Sequence, residues 1–180
     1  AERRGLLNHK NTADAVPVCF EQKNIDVFVR QGVYTKGEAI ARADIQLENY
    51  CKIINIEALT MLEMARRDII PAVSDYVAAL CSNVAAKQAV NEELPCRGEK
   101  ETITALATLN DEVCALATRL EGELRDIKLA DVRPASQAMA HKVIPLMEEM
   151  RKRVDKMETL TSSDYWCYPT YFDLLYSVNN

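Results

Sequence analysis

Glycine is scarce in this chain of 180 residues, which contains only five. Low glycine content, together with long segments rich in Ala, Leu, Glu, Lys and Arg, favours helix over other structure. Alternation of apolar and polar residues over the length of a strand is also missing. The sequence therefore predicts an all-α fold. Its length fits one domain, or one compact domain with arms, and is enough to bury a real core.

An excess of positive charge is missing as well, since the formal net charge is −5. This argues against nucleic acid as a partner, because nucleic acid requires a basic face. The one basic cluster, Arg151-Lys152-Arg153, falls in the last turns of a predicted helix, where cations complement the helix dipole. No apolar run approaches the roughly 20 residues that span a bilayer, and the N-terminus lacks the apolar core of a signal peptide. We expect a cytoplasmic protein without a membrane partner.

Paired cysteine motifs are also absent. The six cysteines are widely spread, without CxxC or Cys/His ligand spacing: Cys19, Cys51, Cys81, Cys96, Cys114 and Cys167. An even count alone does not indicate a disulfide framework in a chain of this length. We interpret these cysteines as reduced, mostly buried, small apolar residues.

Sequence motifs of catalysis are missing from the chain. It has no phosphate-binding glycine loop, no GxSxG and no HExxH. His9 and His141 are far apart and neither has a ligand partner at i+4, so His141 is expected to be a surface or satisfied residue. The carboxylate pairs Glu92-Glu93 and Glu148-Glu149 are expected to be solvated, in a loop and on a polar helix face. The six methionines are expected to fill the core. No catalytic, cofactor-binding or metal-binding residue is predicted.

A long helix is the main structural prediction. A short helix over about residues 21–31 precedes it, and Thr35 and Glu38 then form a capping box. This box opens a helix over about residues 36–88, which Pro71 should kink or break. One row of apolar residues on this helix recurs every seven residues: Ile40, Leu47, Ile54 and Met61. A second apolar row lies on other faces of the helix: Ile53, Ile56, Leu59 and Met64. Such a helix is packed by several neighbours, which are either the short helix and the C-terminal tail of the same chain or surfaces outside this chain.

Two further helices, over about residues 99–128 and 131–160, carry heptad patterns. Because only a few residues join them, they should form an antiparallel coiled-coil-like hairpin. With the long helix they make an elongated, proline-kinked bundle of three to four helices, in which Pro145 causes the second kink. Asn110 occupies a seam position, where its amide pairs either within one chain or between chains. The two seams are Ile103, Leu106, Asn110, Val113, Ala117, Leu120, Leu124 and Ile127, and Met139, Val143, Leu146, Met150, Val154 and Met157.

The C-terminal residues 161–180 concentrate the large aromatic side chains. The chain has eleven aromatic residues (seven Tyr, three Phe and one Trp), and six of these eleven lie between Tyr165 and Tyr176. Aromatic side chains carry a large area, and Tyr and Trp keep a polar group, which suits a segment half buried against a bundle or a neighbouring surface. We expect this segment to be an ordered clasp that docks through Trp166, Tyr171, Phe172 and Leu175.

Four stretches resemble, in order and spacing, the helical C-terminal region of type III glutamine synthetases, the long-chain class found chiefly in bacteria. They are RGLLNHKNTADAVP (4–17), EQKNIDVFVRQGVYTKGE (21–38), ENYCKIINIEALTMLEMARRDIIPAV (48–73) and YWCYPTYFDLLY (165–176). Between about residues 87 and 160 the resemblance is loose. The resemblance implies a segment leaving the catalytic domain (1–34), a helical bundle (35–160) and the aromatic clasp (161–180).

The resemblance also implies a function. The family joins ammonia to glutamate with ATP and a divalent metal, magnesium or manganese, but its catalytic residues lie upstream of these stretches. The chain is therefore expected to be an inactive, structural or oligomerisation region whose partners are the catalytic domain and neighbouring subunits, and to begin within a longer protein. The alternative is a free-standing helical module for protein–protein interaction, which accounts equally well for the heptads.

Overall fold

The computed structural model describes the backbone of residues 2–176 and, within that range, the side chains other than those of Glu2, Tyr171 and Phe172. The described residues contain helices and connecting turns but no strand. The predicted all-α class is therefore confirmed. The α-helices are α1 (Thr12–Ala15), α2 (Gln22–Arg30), α3 (Lys36–Met64), α4 (Ile70–Val90), α5 (Arg97–Asp126), α6 (Val132–Ala138), α7 (Ile144–Leu160) and α8 (Tyr171–Tyr176). Two short 3₁₀ helices, Glu2–Arg4 and Val16–Phe20, lie near the N-terminus.

Pro71 and Pro145, the two prolines expected to kink helices, each follow a π-helical turn. Residues Ala65–Ile69 join α3 to α4 just before Pro71, and Met139–Val143 join α6 to α7 just before Pro145. A proline inside a helix cannot donate a backbone hydrogen bond and crowds the preceding turn, and a single π-turn widens the helix at that point through i→i+5 hydrogen bonds. Helical structure resumes one residue before each proline, so the chain does not break there. The predicted bends of the helix axes stay predictions.

The chain forms two compact units. The first comprises residues 1–59 and 120–146, and the second comprises residues 60–119 and 147–180. In the first unit, Val16, Ala43 and Leu47 form a buried cluster. The cluster is completed by partly buried Cys19, Phe20 and Val132. The predicted division at residues 34/35 and 160/161 stays a prediction.

Helix α3 begins with the predicted capping box. The Thr35 backbone N–H donates to Glu38 Oε2 at 2.8 Å, and the Glu38 N–H donates to Thr35 Oγ1 at 3.2 Å. Leu47 and Ile54 are buried, as the seven-residue row predicts, whereas Ile40 and Met61 are partly buried. The second row, listed above from Ile53 to Met64, is exposed to solvent. Neighbours therefore cover only one side of α3.

The second unit buries a wider stripe of α5 than a strict heptad predicts. Leu106 and Val113 of the predicted seam are buried, but so are Leu109 and Leu116, which the seam omits. The Asn110 amide Nδ2 donates to Ser74 Oγ at 3.0 Å, so this seam residue pairs within the chain. Its Oδ1 is buried without a hydrogen-bond partner among the described residues. On α7, Met150 and Met157 are buried as predicted.

The aromatic C-terminal segment contacts α4 and the first π-turn through tyrosines. The Tyr165 and Tyr76 rings lie 5.2 Å apart, and the Tyr168 hydroxyl donates to Asp68 Oδ2 at 2.6 Å. Trp166 is half-buried, but Leu175 is 75% exposed, so the prediction that Leu175 docks is wrong. The predicted contacts of the Tyr171 and Phe172 side chains lie outside the described residues. Sequence alone missed Tyr168 because any of the clustered aromatics could have supplied the contact.

Candidate interaction surfaces

The residues considered for chemistry do not assemble into a metal site. Within the described part of the chain, no three or more His, Cys, Asp or Glu side chains are grouped closely enough to hold an ion. His9 is exposed, and the predicted solvation of Glu92-Glu93 and Glu148-Glu149 is confirmed by their exposure. His141 is an exposed residue with a carboxylate partner, which agrees with its interpretation as a satisfied side chain.

The cysteines depart from the prediction that most are buried. Cys51 and Cys96 are buried and Cys19 is partly buried, whereas Cys81, Cys114 and Cys167 are exposed; all six are free thiols. The prediction failed because Cys81 and Cys114 lie on solvent-facing sides of α4 and α5. Burial raises the pKa of the Cys51 and Cys167 thiols. A nucleophilic cysteine requires the opposite shift, because the thiolate is the reactive form.

Within the first unit, a polar contact attaches the N-terminal segment to α6 and the second π-turn. Asp14 Oδ1 lies 3.2 Å from His141 Nε2, and the Gln137 amide donates to the Ala13 carbonyl at 2.8 Å. The Asn11 side chain accepts from the Asp14 backbone N–H and so caps α1. The hydrogen bond from His141 is the main reason that the pKa of Asp14 is lowered. These hydrogen bonds therefore connect α1 to α6 and to the second π-turn.

A second polar contact attaches the C-terminal segment to the first π-turn. Burial, together with the hydrogen bond to Asp68, raises the pKa of Tyr168 to about 12. Asp68 lies within Ala65–Ile69, as His141 lies within Met139–Val143. The first π-turn therefore supplies Asp68 as a partner for the C-terminal segment, and the second supplies His141 as a partner for the N-terminal segment. Neither partner was identified from the sequence, because the pairs are 100 and 127 residues apart.

Helix α3 presents an exposed apolar row within the first unit. Ile45, Ile53, Ile56 and Leu59 are 54, 55, 62 and 51% exposed. At 3.6 residues per turn, these four positions fall within about a third of the helix circumference, opposite the buried face that contains Leu47 and Ala58. Exposed aliphatic side chains grouped in this way are typical of an interaction surface. The sequence identified Ile53, Ile56 and Leu59 as one apolar row, but it left open whether other parts of the chain cover these side chains.

One helical stretch is apolar enough, by length and composition, to cross a membrane. Within Lys36–Val90, a window of 18 residues has a mean hydropathy of 1.4, and 22% of that window is buried. The expectation that no apolar run approaches this length was therefore too strict. It failed because a mean taken over 18 residues stays high when a few polar residues interrupt the apolar ones. Core helices of water-soluble proteins meet the same criterion, so this window is weak evidence for a helix that crosses a membrane.

The family comparison agrees with the resemblance seen in the sequence. Residues 1–88 match the model of the glutamine synthetase C-terminal domain. This match identifies residues 1–88 as a glutamine synthetase C-terminal domain. The domain thus includes the Asp14 segment, the exposed apolar row and the first π-turn.

Relatives of the C-terminal domain align over nearly all of the chain. A glutamine synthetase from Butyrivibrio fibrisolvens is 32% identical over 99% of the chain, which corresponds to 26% of the relative. A type-3 glutamine synthetase from Dictyostelium discoideum is 25% identical over 98% of the chain and 25% of its own length. A glutamine synthetase from Bacteroides fragilis is 24% identical with the same coverage. The chain therefore spans about a quarter of the length of the curated relatives that it matches.

Proposed function

We propose that this chain is the C-terminal structural region of a glutamate–ammonia ligase, in which it packs on the catalytic domain and neighbouring subunits. The parent enzyme would make glutamine from glutamate and ammonia with ATP and magnesium or manganese. The proposal is supported by relatives named glutamine synthetase that are about four times as long as the chain. Under this proposal the active site belongs to the remaining part of the enzyme, and the 180-residue chain alone is inactive.

The exposed apolar row is the observation that carries the structural role. A helix in water normally buries its apolar face, and burial stabilises by about 25 cal/mol per Å² of apolar surface removed from water. Ile53, Ile56 and Leu59 remain more than half exposed in this chain. The remaining three quarters of a synthetase subunit would supply a surface to cover them. Membrane lipid is the alternative to a protein surface as the partner of this row. The proposal places the enzyme in the cytoplasm, where a protein surface covers the row.

The structural role is tested in the full-length synthetase that carries this C-terminal region. We expect the double substitution Ile53→Ser/Ile56→Ser to reduce the fraction of assembled enzyme in sedimentation velocity and to reduce glutamine formation in parallel. The matched control is Val90→Ser/Leu129→Ser, which removes two exposed apolar side chains outside the row. Normal assembly of the row variant, or equal losses in both variants, would contradict the proposal.

The predicted inactivity of the isolated chain has a direct assay. Purified chain is incubated with glutamate, ammonia, ATP and magnesium or manganese, and glutamine is quantified against a catalytically competent full-length synthetase. We expect no glutamine above background. Robust ATP-dependent glutamine formation by the chain would show that an active site lies within it. In cell fractionation, recovery of the full-length protein with the membrane pellet would count against cytoplasmic localisation.

A further inference from the structure

A basic groove runs along α5 and α7 in the second unit. It has a volume of about 970 Å³, within the range typical of small-molecule sites. Five cationic side chains line the groove: Arg97, Lys100, Lys152, Arg153 and Lys156. Such a concentration of cations is unexpected in a chain whose formal net charge is −5.

Carboxylates neutralise the arginines of the groove but not its lysines. Arg97 Nε lies 2.7 Å from Glu101 Oε1, and Arg153 Nε lies 3.2 Å from Glu112 Oε2. The ion pairs among the described residues do not include the three lysines of the groove. Those ammonium groups therefore form the unneutralised positive charge of the site.

The basic cluster Arg151-Lys152-Arg153 was expected to complement the helix dipole, but its position on α7 rules out this interpretation. Helix α7 continues to Leu160 and has no basic residue in its last turn. The dipole acts on charges within the last turn, so Arg151, Lys152 and Arg153 lie too far from the helix end. Lys152 and Lys156, one turn apart, instead repel each other and destabilise the helix slightly. An anion bound between the helices would reverse this effect.

The groove also has an apolar floor. Leu109 and Cys96 are buried beneath it, and Ala105 is partly buried beside them. The hydroxyls of Thr104 and Thr108 donate to backbone carbonyls of α5, so they present their methyl groups and acceptor oxygens. A ligand that fills this groove would therefore combine anionic groups with an organic body.

We propose that the groove binds a small organic anion that carries at least two phosphate groups, of the nucleoside diphosphate class. The guanidinium group of arginine recognises carboxylates best, because it can donate two parallel hydrogen bonds. In this groove the guanidinium groups of Arg97 and Arg153 already contact glutamates, which disfavours a carboxylate ligand. Lysine ammonium groups are compact charges that bind phosphate oxygens from several directions. Lys100 on one helix and Lys152 and Lys156 on the other would contact successive phosphates, while the apolar floor would contact the remaining part of the ligand. The proposal does not depend on the synthetase function.

Calorimetric titration of the 180-residue chain at physiological ionic strength tests this site. The ligands are ADP, inorganic pyrophosphate and citrate, and circular dichroism verifies that each variant is folded. We expect ADP and pyrophosphate to bind and citrate to bind at least about tenfold more weakly. The double substitution Lys152→Gln/Lys156→Gln should weaken ADP binding at least about tenfold, because two charge-assisted hydrogen bonds are lost.

The matched control is Lys10→Gln/Lys128→Gln, which removes the same charge from exposed positions outside the groove. Its affinity for ADP should equal that of the unaltered chain. Lys100→Gln tests the opposite wall and remains informative if the double variant fails to fold. The proposal is overturned if ADP does not bind, if citrate binds as tightly as pyrophosphate, or if the groove and control variants weaken binding equally.

Discussion

The Tyr168 hydroxyl donates a 2.6 Å hydrogen bond to Asp68 Oδ2, across 100 residues of sequence. Asp68 lies in the π-turn that precedes Pro71. This contact and the Tyr165–Tyr76 ring pair attach the C-terminal segment to the first π-turn and α4 within the second unit. The clasp predicted from the aromatic cluster is thus held by tyrosines, one through its hydroxyl and one through its ring.

Removing the Tyr168 hydroxyl should lower the stability of the second unit. Tyr168→Phe keeps the ring but deletes a hydrogen bond to a charged acceptor, and we expect the free energy of unfolding to fall by about 1 kcal/mol. Urea denaturation followed by circular dichroism measures this change. Tyr165→Phe is the matched control, because its ring contact with Tyr76 survives. Equal effects of the two substitutions would show that the hydroxyl of Tyr168 has no particular role.

The same contact predicts a change of stability at alkaline pH. The pKa of Tyr168 is about 12 in the folded chain, against an ordinary tyrosine value of 10.0. Because the folded value is the higher one, the contribution of the neutral phenol is complete below pH 10 and is lost as pH rises from 10 towards 12. Titration of tyrosinate absorbance should show a late component that disappears in Tyr168→Phe. Persistence of the full late component would assign it to another tyrosine, such as Tyr50, whose pKa burial also raises.

The Asp14–His141 contact predicts a shift in an acidic titration. The His141→Ala substitution removes the largest cause of the lowered pKa, so the pKa of Asp14 should rise towards its ordinary value of 3.8. Because the folded value is below 3.8, the contribution of Asp14 to stability is present above that pH and is lost as pH falls through the folded pKa. Carboxyl chemical shifts followed by NMR report the titration. Lys142→Ala, which removes a partner of Glu123 instead, should leave the pKa of Asp14 unchanged.

Two leucines of α3 should respond very differently to truncation. Leu47 is fully buried, and Leu47→Ala should reduce the free energy of unfolding by about 2–5 kcal/mol. Leu59 is 51% exposed, and Leu59→Ala should change it by no more than about 0.5 kcal/mol. Urea denaturation of the isolated chain compares them. A large loss in Leu59→Ala would mean that the exposed apolar row is already covered in the chain alone.

Local features of the fold could be predicted because the residues that cause them are neighbours in sequence. Thr35 and Glu38 are three residues apart, and their reciprocal hydrogen bonds depend only on the first turn of α3. Glu48–Lys52 and Glu63–Arg67 likewise form ion pairs at the i,i+4 spacing of one helical turn, each at 2.7 Å. The helical period alone identified Leu47, Val113 and Met150 as core residues.

The π-turns were not predicted, although the prolines that follow them were recognised. A proline specifies that a local hydrogen bond is lost, but several backbone responses can accommodate that loss, including a kink and a widened turn. Which response occurs depends on the packing of the surrounding helix. Leu109 and Leu116 show the same dependence, because their burial reflects neighbours that the heptad seam does not specify.

The sequence by itself determined the helical class, the first turn of α3, its buried face and, through the resemblance, the family. These follow from side-chain period and capping, which act over a few residues, and from ordered family stretches. Tertiary structure decided which side of α3 remains exposed, that Asn110 contacts Ser74 within the chain, and that Tyr168 rather than Leu175 docks. It also brought Lys100 to the same groove as Lys152 and Lys156. Each of these depends on contacts between residues far apart in sequence, and no local pattern specifies such contacts.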